Sequence, residues 1–415
     1  MRRASHDALT KAVVQRYCPI QTKEANILVT SLLTNPKDRN QHFLRAGAST
    51  IMAILYDYPT LPSAHERAIE EIGNSVQQSA RAASLGSTLV EFLPWMLHIP
   101  RRYESPFENY SDIVHLCCLS RFAKWKREAL EQSAERSEIY FRLFNGVRTG
   151  LVRPAVRTCV EPEQQTWIDE WRRPSELQRI VDRIPRSLSP IREGNGIPRR
   201  ANVVSYRFFL RVRGIKMHWS AAGSETTSTT LMWWTLAMVA FPQVQRRAQA
   251  ELDAVIGRAR LPTLADAPRL PYVQSIAKEV LRWRPALPFG VPHKATEDDW
   301  YEGMFIPKGA TCVANVWQCN HDRAVFGDDA DEFRPERHLD DEGKLLPGPV
   351  ETNQEGHSTF GFGRRICVGK HLANNSLFIH TARILWAVSI ECLKDENGED
   401  VLPDTNAFVD VGLIM

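Results

Sequence analysis

The sequence predicts a mainly α-helical protein with a small β part, and three observations lead to this fold class. Apolar residues recur with helical spacing in several segments. One stretch, 231–241, is almost wholly apolar, and short β-like runs are confined to 288–315. The chain has 415 residues, of which 43 % are hydrophobic, so it is long enough to bury a sizeable core.

The helices are indicated one by one along the chain. In the segment 21–35, Ala25 and Leu28 fall on the same face of a helix. The segment PQVQRRAQAELDAVIG has Pro242 at its start and Gly257 at its end, and both residues favour these positions. Further helices are predicted at 63–86, 123–144, 218–240 and 271–283.

Charge and cysteine usage exclude several classes of protein. The 52 basic and 49 acidic side chains give a net charge of +3, which argues against nucleic acid or another polyanion as partner. None of the eight cysteines forms a C-x-x-C pair. We therefore expect reduced thiols facing the cytosol rather than a zinc site or a disulfide framework.

Neither a signal peptide nor a membrane span is expected. The first residues, MRRASHDALTKAVVQ, contain no apolar core of a signal peptide. The longest apolar run, LMWWTLAMVAF (231–241), is too short to cross a bilayer and predicts a buried helix.

One zone, 148–213, differs from the rest in composition. It holds 14 arginines, six prolines and no lysine, with poor hydrophobic periodicity. Such a segment cannot bury enough apolar surface to order itself. We interpret it as a doubtful, disordered insertion, which is either a genuine solvated loop or the product of mistranslation or mis-splicing.

The most informative stretch is FGFGRRICVG (360–369), which places one cysteine between a glycine-containing loop and a predicted helix. As a nucleotide-binding loop it fails, because the third glycine position of G-x-G-x-x-G holds Ile366. A nucleophilic cysteine would lack a recognisable signature here. An inert core thiol is the ordinary alternative for a single cysteine, but it would not need the glycines.

Five positions of this stretch form the pattern F-x-x-G-x-R-x-C-x-G, namely Phe360, Gly363, Arg365, Cys367 and Gly369. By chance such a match should occur in less than about one chain in a thousand. The pattern resembles the heme-binding loop of cytochrome P450 monooxygenases at every specified position. The resemblance implies heme b with a thiolate axial ligand from Cys367. Gly363 and Gly369 would admit the flat macrocycle, Arg365 would pair with a propionate, and Phe360 would shield the sulfur.

A second motif of the family is E-x-x-R, present as Glu279 and Arg282 on one helix face. The family's downstream arginine is matched by Arg337 in FRPERHL. The resemblance implies a buried charge network with a structural role. Another E-x-x-R copy, at Glu170 and Arg173, falls in the zone 148–213, and we interpret it as chance.

A third motif, A-G-x-[D/E]-T, is matched by Ala222, Gly223, Glu225 and Thr226. An alternative is a helix whose threonines merely hydrogen-bond back to carbonyls four residues earlier. The resemblance implies instead that Ala222 and Gly223 leave room for dioxygen, that Thr226 hydrogen-bonds it, and that Glu225 passes protons toward it.

His293 is either a donor to a heme propionate or an ordinary surface histidine.

The resemblance covers 218–415 well and 1–140 loosely, and it is strongest to the fungal microsomal type. It implies a single cytochrome P450 domain over 1–415, a helical bundle with small β-sheets, incomplete at both ends. An intact relative would lie on the cytosolic face of the endoplasmic reticulum membrane, held by an N-terminal anchor that we do not expect in this chain.

The leading functional hypothesis is a monooxygenase that inserts one oxygen atom of O₂ into a small apolar substrate, such as a terpenoid or polyketide of secondary metabolism. NADPH–cytochrome P450 reductase would supply the electrons. One alternative is an inactive remnant that keeps the heme loop without a working pocket. Another alternative is a thiolate-heme isomerase or a peroxide-using enzyme. The acid–alcohol pair Glu225–Thr226 favours an oxygen-activating monooxygenase over this alternative.

Overall fold

The computed structural model describes residues 6–56, 60–61, 131 and 222–405. The helices predicted at 63–86 and 123–144 (residue 131 apart) and the zone 148–213 lie outside these residues. Among the residues that are described, no helix is both long and apolar enough to cross a membrane.

Helices dominate the described part of the chain. They are α1 (Lys11–Val14), α2 (Cys18–Thr34), α3 (Arg39–Tyr56), α4 (222–240), α5 (Pro242–Val255), α6 (Pro271–Trp283), α7 (Val316–Asn320), α8 (Arg323–Phe326) and α9 (Lys370–Ala387).

Six short strands form three two-stranded antiparallel sheets in the described part. They are β1 (His293–Lys294), β2 (Asp299–Tyr301), β3 (Met304–Ile306), β4 (Thr311–Cys312), β5 (Leu393–Lys394) and β6 (Asp400–Val401), paired as β1 with β4, β2 with β3, and β5 with β6. The predicted mainly helical fold class with a small β part is confirmed.

The helix boundaries follow local sequence chemistry. Both α5 and α6 carry proline in the first turn, where its missing N–H is not needed. The end of α5 is followed by Gly257, whose φ of 70° is the left-handed conformation that favours glycine. The β2–β3 hairpin turns through Glu302 and Gly303, both with positive φ, which matches the right-handed twist of the strands.

The core is centred on α6 and α9. Helix α9 packs against α2, α5 and α6, and its buried residues occupy all sides of the helix. The predicted burial of the apolar run 231–241 is confirmed, because four of its residues are almost completely shielded from solvent: Leu231, Trp234, Ala237 and Met238. Helix α4 therefore joins the same core as α6 and α9.

Helices α3 and α4 cross at very close range. A Cβ atom placed on Gly47 of α3 would lie 2.4 Å from the Ser224 carbonyl oxygen and 2.9 Å from Ser228 Oγ. Ser228 Oγ lies 2.7 Å from the Ser224 carbonyl oxygen of its own helix and 3.0 Å from the Phe43 carbonyl oxygen of α3, so its hydroxyl proton can connect α4 to α3. Small residues thus let the backbones of α3 and α4 approach closely here.

We expect Gly47→Ala to destabilise the fold, although alanine is the better helix former by about 1 kcal/mol. The added methyl group meets backbone of α4, which can move only if the helices separate, so a net loss of about 1–3 kcal/mol is expected. The free energy of unfolding in urea measures it. The control is Gln41→Ala at an exposed position of α3, which should change stability little. Unchanged or raised stability of Gly47→Ala would contradict the close crossing.

Candidate functional site

Cys367 lies between a single 3₁₀ turn, Gly363–Arg365, and the start of α9. Its backbone N–H donates to the Phe360 carbonyl oxygen at 2.7 Å, which closes the loop. Gly361 and Gly363 have φ values of 73° and 51°, so the loop needs residues that accept the left-handed conformation. The sequence prediction of a cysteine at a loop-to-helix junction is confirmed.

The loop presents chemically distinct side chains to solvent. Those of Phe362, Arg364, Arg365 and Cys367 are exposed. A Cβ atom on Gly369 would lie 3.8 Å from Cys367 Sγ, in ordinary contact with the thiol. Phe360 is half-buried, and its ring meets that of His357 edge-on at 5.0 Å between centroids.

Helix α4 carries the predicted acid–alcohol pair at its described start. Thr226 Oγ1 donates to the Ala222 carbonyl oxygen at 2.6 Å, which is the back-bonding alternative that its sequence pattern left open. A hydroxyl engaged in this way still has lone pairs with which to accept a hydrogen bond. Glu225 is half-buried, and burial raises the pKa of its carboxyl to about 7. Within the described residues its carboxylate has no hydrogen-bond or ion-pair partner.

The glycine of this motif is placed against another helix. A Cβ atom on Gly223 would lie 2.5 Å from Ile51 Cδ1 of α3. The absence of a side chain therefore has a packing reason, in addition to the room for dioxygen that the motif implies. Ala222 is exposed.

A buried ion network joins the second motif to its downstream arginine. Arg282 makes a two-pronged contact with Glu279, with N–O distances of 2.8 and 2.9 Å. Arg337 Nε donates to Glu279 Oε1 at 3.0 Å. Both Glu279 and Arg282 are completely buried. The structure thus brings together all three residues of the predicted network.

Sequence reasoning missed a fourth side chain of the network. His338 Nε2 lies 2.9 Å from Glu279 Oε2. Burial lowers the pKa of His338, and a neutral imidazole with the proton on Nε2 donates to the carboxylate. A Cβ atom on Gly356 would lie 2.9 Å from His338 Nδ1, so this histidine also supports the backbone that leads into the cysteine loop. Only its position next to Arg337 could have indicated it.

His293 is placed apart from these contacts. It lies in β1 with its side chain exposed, and it is opposite Cys312 of β4 in the strand register. Its position therefore leaves both interpretations of this residue open.

A mainly helical fold with an exposed cysteine on a glycine loop, ahead of a buried helix, agrees with the resemblance to heme-thiolate oxidoreductases, in which a cysteine thiolate binds heme iron. Comparison with known proteins agrees with this class. A family profile described as cytochrome P450 matches residues 214–411.

Several fungal relatives match the whole chain. A cytochrome P450 monooxygenase of Armillaria gallica is 42 % identical over 414 residues, and the chain spans 69 % of its length. Cytochrome P450 monooxygenase 58 of Postia placenta is 36 % identical over 68 % of its length, and cytochrome P450 monooxygenase iboC of Amanita muscaria is 31 % identical over 72 % of its length. The chain belongs to the cytochrome P450 family and is a monooxygenase of the oxidoreductase class.

We expect the Glu279 network to stabilise the fold in a pH-dependent way. Burial alone would raise the pKa of Glu279, but hydrogen bonds from Arg282 and His338 outweigh it and lower the pKa from 4.5 to about 2. This fall corresponds to roughly 3 kcal/mol of stability. Because the folded-state pKa is depressed, the contribution is complete above pH 4.5 and is lost as the pH falls toward about 2.

Glu279→Gln tests this expectation. At neutral pH it should lose about 3–5 kcal/mol of unfolding free energy, because it breaks a buried ion pair. The gap between wild type and variant should narrow as the pH is lowered below about 4.5. Glu342→Gln, at an exposed carboxylate paired with Lys344, serves as control and should change little. A gap that stays constant from neutral to acid pH would show that the charge of Glu279 contributes nothing.

Proposed function

We propose that this monooxygenase inserts one oxygen atom of O₂ into a small apolar organic substrate of the terpenoid or polyketide kind. NADPH–cytochrome P450 reductase on the cytosolic face of the endoplasmic reticulum would deliver the electrons. The observation that carries the proposal is the exposed Cys367 thiol, held on a hydrogen-bonded glycine loop just before the largely buried helix α9.

The residues of the loop fit heme b. A thiol, a guanidinium group and apolar surface are the groups that iron, a propionate and a macrocycle require, and the loop exposes all three kinds. Cys367 would be the axial ligand and Arg365 the propionate partner, while Gly363 and Gly369 would lie against the ring. When bound, the heme supplies the oxygen chemistry that amino-acid side chains cannot perform.

The position of Cys367 in the chain suits a thiolate ligand. Cys367 precedes the first residue of α9 by three positions, where the helix N-terminus favours negative charge. Its backbone N–H is engaged by the Phe360 carbonyl, which fixes the direction of the loop. Phe360 lies partly within the core, so it can limit the access of water to the sulfur.

The acid and the alcohol of α4 have complementary roles in proton transfer. A carboxyl with a pKa of about 7 can give and take a proton near neutral pH, which is the property of an effective general acid–base group. Thr226 Oγ1 can accept a hydrogen bond while it donates to the Ala222 carbonyl, or it can rotate and donate elsewhere. We propose that the pair delivers protons to dioxygen.

We also propose that 1–415 forms one domain, with 148–213 as an insertion. Contacts between the two ends of the described chain support this arrangement. Gln21 Nε2 of α2 donates to the Leu372 carbonyl oxygen at 2.9 Å and to Ser376 Oγ at 2.7 Å, both on α9.

Replacing the thiol tests the ligand assignment. We expect heme-loaded wild-type protein, reduced under carbon monoxide, to show the strongly red-shifted Soret band of thiolate ligation, and Cys367→Ser to lose it. Cys312→Ser, which alters another exposed cysteine, should retain the band. If the band persisted in Cys367→Ser, Cys367 would not be the ligand.

Replacing the α4 alcohol tests proton delivery. We expect Thr226→Ala to keep its heme content while a larger share of the NADPH consumed ends as hydrogen peroxide instead of product. The matched control is Thr230→Ala, because Thr230 makes the same backward hydrogen bond, to the Thr226 carbonyl at 2.8 Å. Equal ratios of product to NADPH in wild type and Thr226→Ala would remove Thr226 from the mechanism.

A further inference from the structure

Asn320, the last residue of α7, lies beneath the cysteine loop. Its exposed fraction is 0 %, and it uses both its backbone and its side chain to connect two parts of the site. The Asn320 carbonyl oxygen accepts a hydrogen bond of 2.8 Å from Arg282 Nη1. This contact attaches α7 to the buried ion network.

The side chain of Asn320 attaches the network to the loop. Asn320 Oδ1 accepts from the Ser358 backbone N–H at 2.7 Å, and Nδ2 donates to Thr359 Oγ1 at 3.0 Å. Thr359 Oγ1 then donates to the Leu281 carbonyl oxygen of α6 at 2.5 Å. Two consecutive residues of the chain that leads to Cys367 are therefore fixed by one amide group.

The contacts continue from these residues to the cysteine. The Gly361 N–H donates to the Ser358 carbonyl oxygen at 2.9 Å, which forms a turn around Thr359 and Phe360. The Phe360 carbonyl oxygen receives the Cys367 N–H at 2.7 Å. Displacement of Ser358 and Thr359 would move the carbonyl to which the Cys367 backbone is bound.

The chemistry at position 320 requires a primary amide. The site needs one acceptor for the Ser358 N–H and one donor for Thr359 Oγ1 at the same time, and it is fully buried. Aspartate would supply the acceptor but would bring a charge and no N–H donor. Alanine would leave the Ser358 N–H without its partner in the interior, which is costly.

We propose that Asn320 is the positioning residue that couples the Glu279–Arg282 network to the cysteine loop and so holds Cys367 in the orientation that ligation requires. The link to ligation rests on the proposed function, whereas the coupling of Asn320 to the loop backbone can be measured in the chain alone.

Hydrogen exchange of the backbone, followed by mass spectrometry, measures that coupling without heme. In Asn320→Ala, peptides covering 356–369 should exchange roughly tenfold faster than in wild type, while α5 peptides keep their rate. The matched control is Asn315→Ala. Asn315 caps the other end of α7 by accepting from the Gln318 N–H, and among the described residues its side chain makes no hydrogen bond to the loop. Unchanged loop exchange in Asn320→Ala, or equal acceleration in both variants, would overturn the proposal.

A milder variant keeps the test decisive if Asn320→Ala does not fold. Thr359→Val removes the hydroxyl that Asn320 Nδ2 contacts while it retains the shape of the side chain. It should accelerate the same loop peptides, and the effects of Thr359→Val and Asn320→Ser should be less than additive, because both act on one hydrogen-bonded pair. Strict additivity would contradict the coupling.

Spectroscopy of heme-loaded protein then tests the orientation of Cys367. At equal heme content, Asn320→Ala should shift the balance between the red-shifted and the unshifted ferrous–carbon monoxide bands by roughly tenfold, and Asn315→Ala should leave it unchanged. If the ratio of the two bands in Asn320→Ala equalled that of wild type, Asn320 would have no role in positioning the ligand. Absence of the red-shifted band from wild type would refute the proposed function instead, and the exchange measurement would still decide the role of Asn320.

Discussion

The Glu279 carboxylate is the constraint on which the described site depends. A carboxylate that is completely buried must accept hydrogen bonds from donors around it, because the free-energy cost of burying an unpaired charge exceeds the stabilisation that packing provides. Arg282, Arg337 and His338 supply side-chain donors, and the Arg334 backbone N–H adds another at 2.9 Å. These donors come from α6 and from the irregular segment after α8, so satisfying one charge fixes a stretch of chain with little regular structure.

Arg282 extends the same constraint in the opposite direction. Its remaining N–H groups donate to the backbone carbonyls of Asn320, Ala330 and Glu332. Each carbonyl belongs to a loop or a helix end that has no intrahelical partner to offer. The guanidinium thus satisfies backbone carbonyls that a β-sheet ladder would otherwise satisfy. The network positions the cysteine loop through its contact with α7.

The sequence allowed the regular parts of this arrangement to be predicted, and the reasons are local. Proline and glycine mark the ends of α5, and the almost wholly apolar run 231–241 marks the buried part of α4. The pair Glu279–Arg282 could be predicted because it matches the E-x-x-R motif of the family that the sequence resembles, and residues three apart share a helix face. Asn320 and His338 could not, because their partners are backbone groups and side chains brought together only by the fold.

Gly223 shows a different limit of sequence reasoning. Its motif indicated a role beside dioxygen, and the structure adds a close approach to Ile51, whose side chain would have to move if residue 223 carried a Cβ atom. One small residue can satisfy both demands, and a sequence pattern does not separate them. Where a glycine lies between two elements, the effect of replacing it on the free energy of unfolding tests the packing requirement, and the effect on the reaction tests the chemical requirement.

Two kinds of interaction position the proposed catalytic groups. Helix α4 and the cysteine loop are each oriented locally by hydrogen bonds, through Ser228 to α3 and through Ser358 and Thr359 to α7. Their separation is set by the common core, since Trp234 and Met238 of α4 belong to the same cluster as the buried faces of α6 and α9. Close-packed interiors resist compression. The core therefore maintains the distance between α4 and the cysteine loop, while the hydrogen bonds maintain their orientation. A change confined to the polar contacts should therefore alter the orientation of Cys367 before it alters the fold.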